Sequence, residues 1–163
     1  MIVLSLIVAA ALTIVDQITK YYAMQSIALN SSFEVIKNFL SFSYIQNTGV
    51  AFGFLEGMQW IYIPVTILGC LALIFALFKY KHHTFWSYGA IILLLSGGVG
   101  NLIDRIRLGY VVDFIKLHFF KYIFNFADCC VTVGAVMFFI AVVLYKENNN
   151  NKDSDKPKIA NEK

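Results

Sequence analysis

Trp60–Phe78 and Phe85–Ile103 each run 19 residues without a charged side chain, Cys129–Tyr145 runs 17, and Met1–Val15 runs 15. A helix needs roughly 20 apolar residues to cross the hydrocarbon of a bilayer. Lipid offers the backbone no hydrogen bonds, so such runs have to form helices, which satisfy their own peptide groups. The later three blocks span as they stand, and the first spans if its helix continues through Asp16 toward Lys20. The chain is therefore expected to be an all-α integral membrane protein with four transmembrane helices, at about 1–23, 59–79, 85–108 and 127–146. Only 14% of its residues are charged, against about a quarter in a soluble domain, and 163 residues leave no room for a second domain.

The connections differ in kind. Residues 80–84 form a short basic turn and 109–126 a connection of middle length, while 24–58 is long and not polar. Phe33–Gly57 is rich in Phe, Ile, Val and Tyr, Leu40–Tyr44 alternates as a half-buried strand does, and Gly49, Gly53 and Gly57 punctuate it. This predicts a small extended, β-like element between helices 1 and 2, lying on the outer membrane surface in partial contact with lipid. The stretch 147–163 is rich in Asn, Lys and Asp and is expected to be a disordered cytoplasmic tail. Met1–Val15 lacks the basic start of a secretory signal and runs directly into Asp16 and Lys20, so it reads as a retained helix. With both ends inside, seven Lys and Arg fall on the inner side and six on the outer. That margin gives only a lean, which the basic turn and the Lys-rich tail support.

Against this background the polar residues stand out. Asp113 and Asp128 sit in apolar frames, Val111-Val112-Asp113-Phe114 and Phe124-Asn125-Phe126-Ala127-Asp128. Carboxylates at hydrocarbon are costly and tend to mark functional paths. Two in one site can share a proton and activate water. As one helix, residues 113–128 would hold the two carboxylates roughly 22 Å apart at 1.5 Å per residue, so the segment must double back. Gly109 is a natural helix stop, which leaves Asp113 in extended chain and Asp128 in the first turn of the fourth helix, where the macrodipole favours an anion. Asp113 has no such help and is the expected proton carrier of a pair.

Gly97, Asn101, Asp104 and Arg105 share one face of the third helix, a close-packing notch beside polar groups. Asn47 and Asn125 add amides that can both donate and accept, and Arg105 adds a fixed cation. Asp104 has two readings, a salt-bridge partner of Arg105 or a functional group. Asp16 and Lys20, four residues apart, can pair, either as a snorkelling pair closing a short helix or in an active role. Cys70, Cys129 and Cys130 follow no ligand spacing and read as packing residues, and His118 as a surface or structural group. No metal or other cofactor is expected, and no nucleic-acid partner. On these residues alone three readings stand: a paired-carboxylate peptidase, a small proton-coupled transporter, and an assembly subunit packed through its glycines. The transporter predicts midplane carboxylates and a repeat between halves, and no repeat is present.

In order along the chain, Asp16-Gln17-Ile18-Thr19-Lys20, Gln46–Gly53, Gly97–Arg105 and the two aspartate frames resemble the motifs of the lipoprotein (type II) signal peptidases. The resemblance covers nearly the whole chain. It implies a catalytic dyad of Asp113 and Asp128, a substrate and inhibitor pocket lined by Asn47, Gly97, Asn101, Arg105 and Asn125, and structural support from Asp16, Lys20 and Asp104. It implies substrates that are diacylglyceryl-modified prolipoproteins, cut just before the lipidated Cys, and inhibition by globomycin-like cyclic peptides. It also implies a bacterial cell membrane location with both termini cytoplasmic, the active site toward the outer leaflet, contact with membrane lipid and no required oligomer. Val50 replaces the usual Ala of its motif, and the stretch between the aspartates is short and lacks a Pro before Phe124.

Overall fold

The computed structural model describes residues 1–49, 59–80 and 83–154. Four helices, α1 (Ile2–Ser26), α2 (Gln59–Lys79), α3 (Phe85–Leu108) and α4 (Phe126–Ser154), are each long and apolar enough to cross a membrane. α2 and α3 fall on the expected bounds. α4 continues beyond 146 to Ser154, into the stretch read from composition as disordered. Extending a formed helix adds one hydrogen bond per residue without a new nucleus. The remainder of that stretch, 155–163, lies outside the described residues, as do Val50, Gly53 and Gly57.

α3 is the central helix and packs against the other three, while α2 turns Val65, Leu68, Leu71 and Phe75 outward. Such outward apolar side chains suit a hydrocarbon surround. At the start of α3, Thr84 and Ser87 form a reciprocal capping box, with Ser87 N donating to Thr84 Oγ1 at 3.2 Å and Thr84 N to Ser87 Oγ at 2.8 Å. At its end Gly109 adopts φ 83° and its N–H reaches Arg105 O at 3.2 Å. This is the expected stop, in a left-handed conformation that costs glycine little.

The β-like element is larger than expected. It is a four-stranded antiparallel sheet in the order β1 (Ser32–Ile36), β2 (Leu40–Asn47), β3 (Val111–Leu117) and β4 (Ile123–Phe124). The first two strands come from the connection between α1 and α2, the last two from the connection between α3 and α4. A strand in water or lipid leaves its peptide groups unpaired, and each hairpin supplies the edge the other lacks. Asn47 pairs with Val111 and Ile45 with Asp113, with a bulge between Phe42 and Ile45. The alternation in β2 has the expected period, but its small members Ser41 and Ser43 are buried, while Phe42 packs edge-on against Phe33 and Phe114. Beneath the sheet, Ala23 of α1 and Ile27, which caps its C-terminal end, form a core with Tyr44, Val112 and Phe114. The end of α1 is thereby fixed to the middle strands.

Candidate active site

β3 leaves Gly109, turns at 118–122 and returns as β4 to the start of α4. The chain between the two aspartates thus doubles back as a hairpin. Asp113 lies in β3, almost fully buried, and Asp128 in the first turn of α4, half-buried.

Asn125 joins them. Its Nδ2 donates to Asp113 Oδ1 at 2.7 Å, its Oδ1 accepts from Asp128 N at 2.9 Å, and its backbone N donates to Asp128 Oδ2 at 3.1 Å. The last two bonds make Asn125 the N-cap of α4, with Asp128 as its reciprocal partner at the third helical position. One residue therefore starts the helix and bridges both carboxylates. Asn47 Nδ2 donates to Asp113 Oδ2 at 2.7 Å, while its Oδ1 accepts from Gly49 N at 3.0 Å. Asn101 Nδ2 donates to Asp128 Oδ1 at 2.8 Å. Every carboxylate oxygen of the pair thus receives an N–H, and the three asparagines singled out in the sequence all converge here.

Burial pushes the Asp113 carboxyl up to about 7, with the nearby Asp128 charge adding to the rise and the Asn47 and Asn125 amides and Lys20 opposing it. Desolvation and a like charge both disfavour the anion. Asp113 therefore holds its proton near neutrality.

Behind the pair lies a buried ionic cluster. Lys20 Nζ meets Asp16 Oδ2 at 2.9 Å, Asp104 Oδ2 at 2.9 Å and Asn101 Oδ1 at 2.8 Å, with both carboxylates and the lysine buried. Of the readings open at the sequence level, Asp16 and Lys20 pair but do not snorkel, and Asp104 pairs with Lys20 from α1. Neighbours on other helices decide this, and sequence spacing does not reveal them. Asp104 Oδ2 accepts the Val112 N–H at 3.1 Å and Asp16 Oδ1 the Ala127 N–H at 2.8 Å. The cluster thus grips the peptide one residue ahead of each aspartate. Gln17 was given no role from sequence, yet its Nε2 donates to Asp104 Oδ1 at 2.9 Å and Gly100 O at 3.1 Å. A polar side chain next to Asp16 in an apolar span was the available signal.

Gly97 lies against Ala127 and Val131 of α4, and a Cβ there would run into Ala127 O. Gly100 meets Asp16 and Ala127 in the same way. The small-residue notch brings α3 and α4 together at the point where Asn101 reaches Asp128. Arg105 is half-buried with its guanidinium 5.3 Å from the Tyr62 ring centre, a cation–π contact, and its charge interacts with those of Asp128 and Asp113. His118 lies out on the sheet, bonded to Ser41 Oγ at 2.7 Å and 3.8 Å from Glu34. Among the described residues, no group of three or more His, Cys, Asp or Glu side chains has a metal-holding arrangement.

Residues 8–144 match the family model described as signal peptidase (SPase) II. A lipoprotein signal peptidase of Caldanaerobacter subterraneus subsp. tengcongensis is 38% identical over 134 residues, covering 82% of this chain and 92% of that protein. The lipoprotein signal peptidase of Streptococcus agalactiae serotype Ia is 40% identical over 146 residues, covering 88% and 93%. A bacterial membrane enzyme solved by the in meso method at 2.3 Å superposes with TM-score 0.80 at 35% identity, covering 98% of this chain and 94% of that one. A second, at 1.9 Å, gives 0.78 at 36% identity over 85% and 91%.

Proposed function

The chain belongs to the signal peptidase II family, a multi-pass membrane protease of lipoprotein processing, and on that premise we propose that it cuts by water activated between Asp113 and Asp128. The observation that carries this reading is the double engagement of Asn125, which bonds one carboxylate through its amide and the other through its own backbone and carbonyl oxygen. Bridged in this way, the buried Asp113 carboxyl and the half-buried Asp128 carboxyl are set to act together on one water.

In the proposed reaction Asp113 starts protonated and Asp128 ionised. Asp128 takes a proton from a water whose oxygen attacks the scissile carbonyl carbon, while Asp113 gives its proton to the carbonyl oxygen. The resulting gem-diol returns a hydroxyl proton to Asp113. Asp128 then protonates the departing nitrogen as the C–N bond breaks, and the pair is restored. The amide donors set around both carboxylates favour charge on either one as the proton changes sides.

The substrate in this reading is a diacylglyceryl-modified prolipoprotein cut just before the lipidated Cys. Its acyl chains stay in the bilayer, where each buried CH₂ contributes about 0.8 kcal/mol, and its peptide enters laterally between helices. Arg105, Asn47 and Asn101, all partly exposed, line the pocket that takes the peptide, with the buried Asn125 and Gly97 behind them. Globomycin-like cyclic peptides would compete there, both termini are cytoplasmic, the site opens toward the outer leaflet, and one copy suffices. The test is a gel-shift assay of the purified protein in detergent on a diacylglyceryl prolipoprotein. Cleavage by the natural chain and none by folded Asp113→Asn or Asp128→Asn is expected. Cleavage by either variant at the natural rate removes that residue from the chemistry.

A further inference from the structure

An ammonium has three N–H donors and no acceptor, and those of Lys20 are fully spent on Asp16, Asp104 and Asn101. The third bond has a consequence beyond holding helices together. Asn101 can place either its oxygen or its nitrogen toward Asp128, and only the nitrogen can donate to a carboxylate. A lysine at 2.8 Å from the other end of the amide removes the choice, since Nζ can only donate and needs an oxygen opposite it. The Asn101 nitrogen is then turned to Asp128 Oδ1 at 2.8 Å. For Asn47 and Asn125 the same orientation is set by backbone N–H groups, from Gly49 and Asp128. Only Asn101 depends on a side chain from another helix.

We infer that Lys20 is a positioning residue of the reaction, acting through the Asn101 amide to hold an N–H donor on Asp128. The inference rests on the dyad reading above. Lys20 is 1% exposed, so it touches no substrate, and apart from the pull of its charge on Asp113 its influence passes through its bonded partners. Asp128 interacts electrostatically with Asp113 on β3 and Arg105 on α3, while Lys20 and Asp16 of α1 and Asp104 of α3 form the ionic cluster that meets the Asn101 oxygen.

Replacing Lys20 alone leaves two carboxylates facing each other, so the informative variant is Asp16→Asn/Lys20→Met. It keeps the net charge of the cluster and leaves an oxygen at position 16 for the Ala127 N–H. Cleavage by the full-length protein in detergent is measured for this variant in the natural background and again in Asn101→Ala, with Tm as a folding check. In the natural background kcat should fall about 10- to 100-fold, the scale of a small misplacement at a reacting group, with KM unchanged. In Asn101→Ala the same two substitutions should produce a much smaller further loss, because the main group they act through is gone and only the ties to Ala127, Asp104 and the Asp113 charge remain. An equal loss in both backgrounds, or no loss in the first, overturns the inference. Should the double variant not fold, Lys20→Met/Asp104→Asn decides the matter. It keeps the same net charge, leaves an oxygen at position 104 for the Val112 N–H, and is read in the same two backgrounds, with the same outcomes upholding or overturning the inference. Failure of the dyad reading is separately visible as cleavage by Asp128→Asn.

Discussion

Gly97→Ala is the substitution whose consequence can be worked most fully from the packing of α3 on α4. The added Cβ would stand 2.7 Å from Val131 Cγ2 and 3.1 Å from Val131 N, and closer still to Ala127 O. The valine methyl is about 0.7 Å inside the 3.4 Å at which ordinary contact begins. A valine rotamer can relieve its methyl, but the carbonyl belongs to the first turn of α4 and moves only with the helix. α4 must therefore shift away from α3 by several tenths of an ångström to 1 Å, carrying Asp128 with it. Overpacking of this kind costs about 1–3 kcal/mol, and the change from Gly to Ala returns about 1 kcal/mol of helix propensity. The net loss of stability is small, about 0–2 kcal/mol by that difference. The effect on rate is larger, since a displacement near 1 Å at a reacting group costs about 100-fold. Gly69→Ala is the matched control, because a Cβ at Gly69 of α2 meets nothing within 4 Å. Initial rates of prolipoprotein cleavage, with Tm followed in the same detergent, should show Gly97→Ala nearly as stable as the natural chain yet slower by about two orders of magnitude, and Gly69→Ala unchanged. A Gly97→Ala protein cleaving at the natural rate would refute the idea that the helix contact sets the position of Asp128.

Asp113 holds its proton to about 7 in the fold against 3.8 unfolded, so the native state binds the extra proton between those values. Stability from this group is fully present below pH 3.8 and is lost as pH rises through about 7. Thermal unfolding across that window should show the decline in the natural chain and its weakening in Asp113→Asn, and cleavage should fall on the alkaline side of about 7 as the shared proton leaves. Asn125→Ala removes the cap of α4 and a donor to Asp113, and should lower stability by about 1 kcal/mol while abolishing most cleavage; unfolding in detergent and the gel-shift assay read the two effects separately. Lys20→Met alone strands Asp16 and Asp104 and should destabilise by about 3–5 kcal/mol, seen as a lowered Tm that Asp16→Asn restores in part.

The helices were legible in the amino-acid sequence, because a long uncharged run has one stable form in lipid, although the continuation of α4 to Ser154 was not. Thr84 and Gly109 bound α3 by local hydrogen bonding and backbone freedom, and both aspartates were conspicuous because charge is rare in such blocks. The order of the motifs was likewise local information and pointed to the family that the comparisons then identified. Contacts across the chain belong to the tertiary structure. Nothing in the spacing of residues 32–47 and 111–124 says that they form one sheet; the pairing follows from two hairpins brought to the same end of the bundle, each needing a partner for its open edge. Nor does the four-residue spacing of Asp16 and Lys20 say whether the pair faces headgroups or is buried. Asp104 and Asn101 decide that, by arriving from α3 with the acceptors that complete the lysine. The double role of Asn125 was equally out of reach, since its bond to Asp113 exists only once β3 has folded back beside the start of α4. Burial prices each residue by its own chemistry and is legible one residue at a time, whereas a hydrogen bond requires two groups in one place, and only the packed chain supplies that.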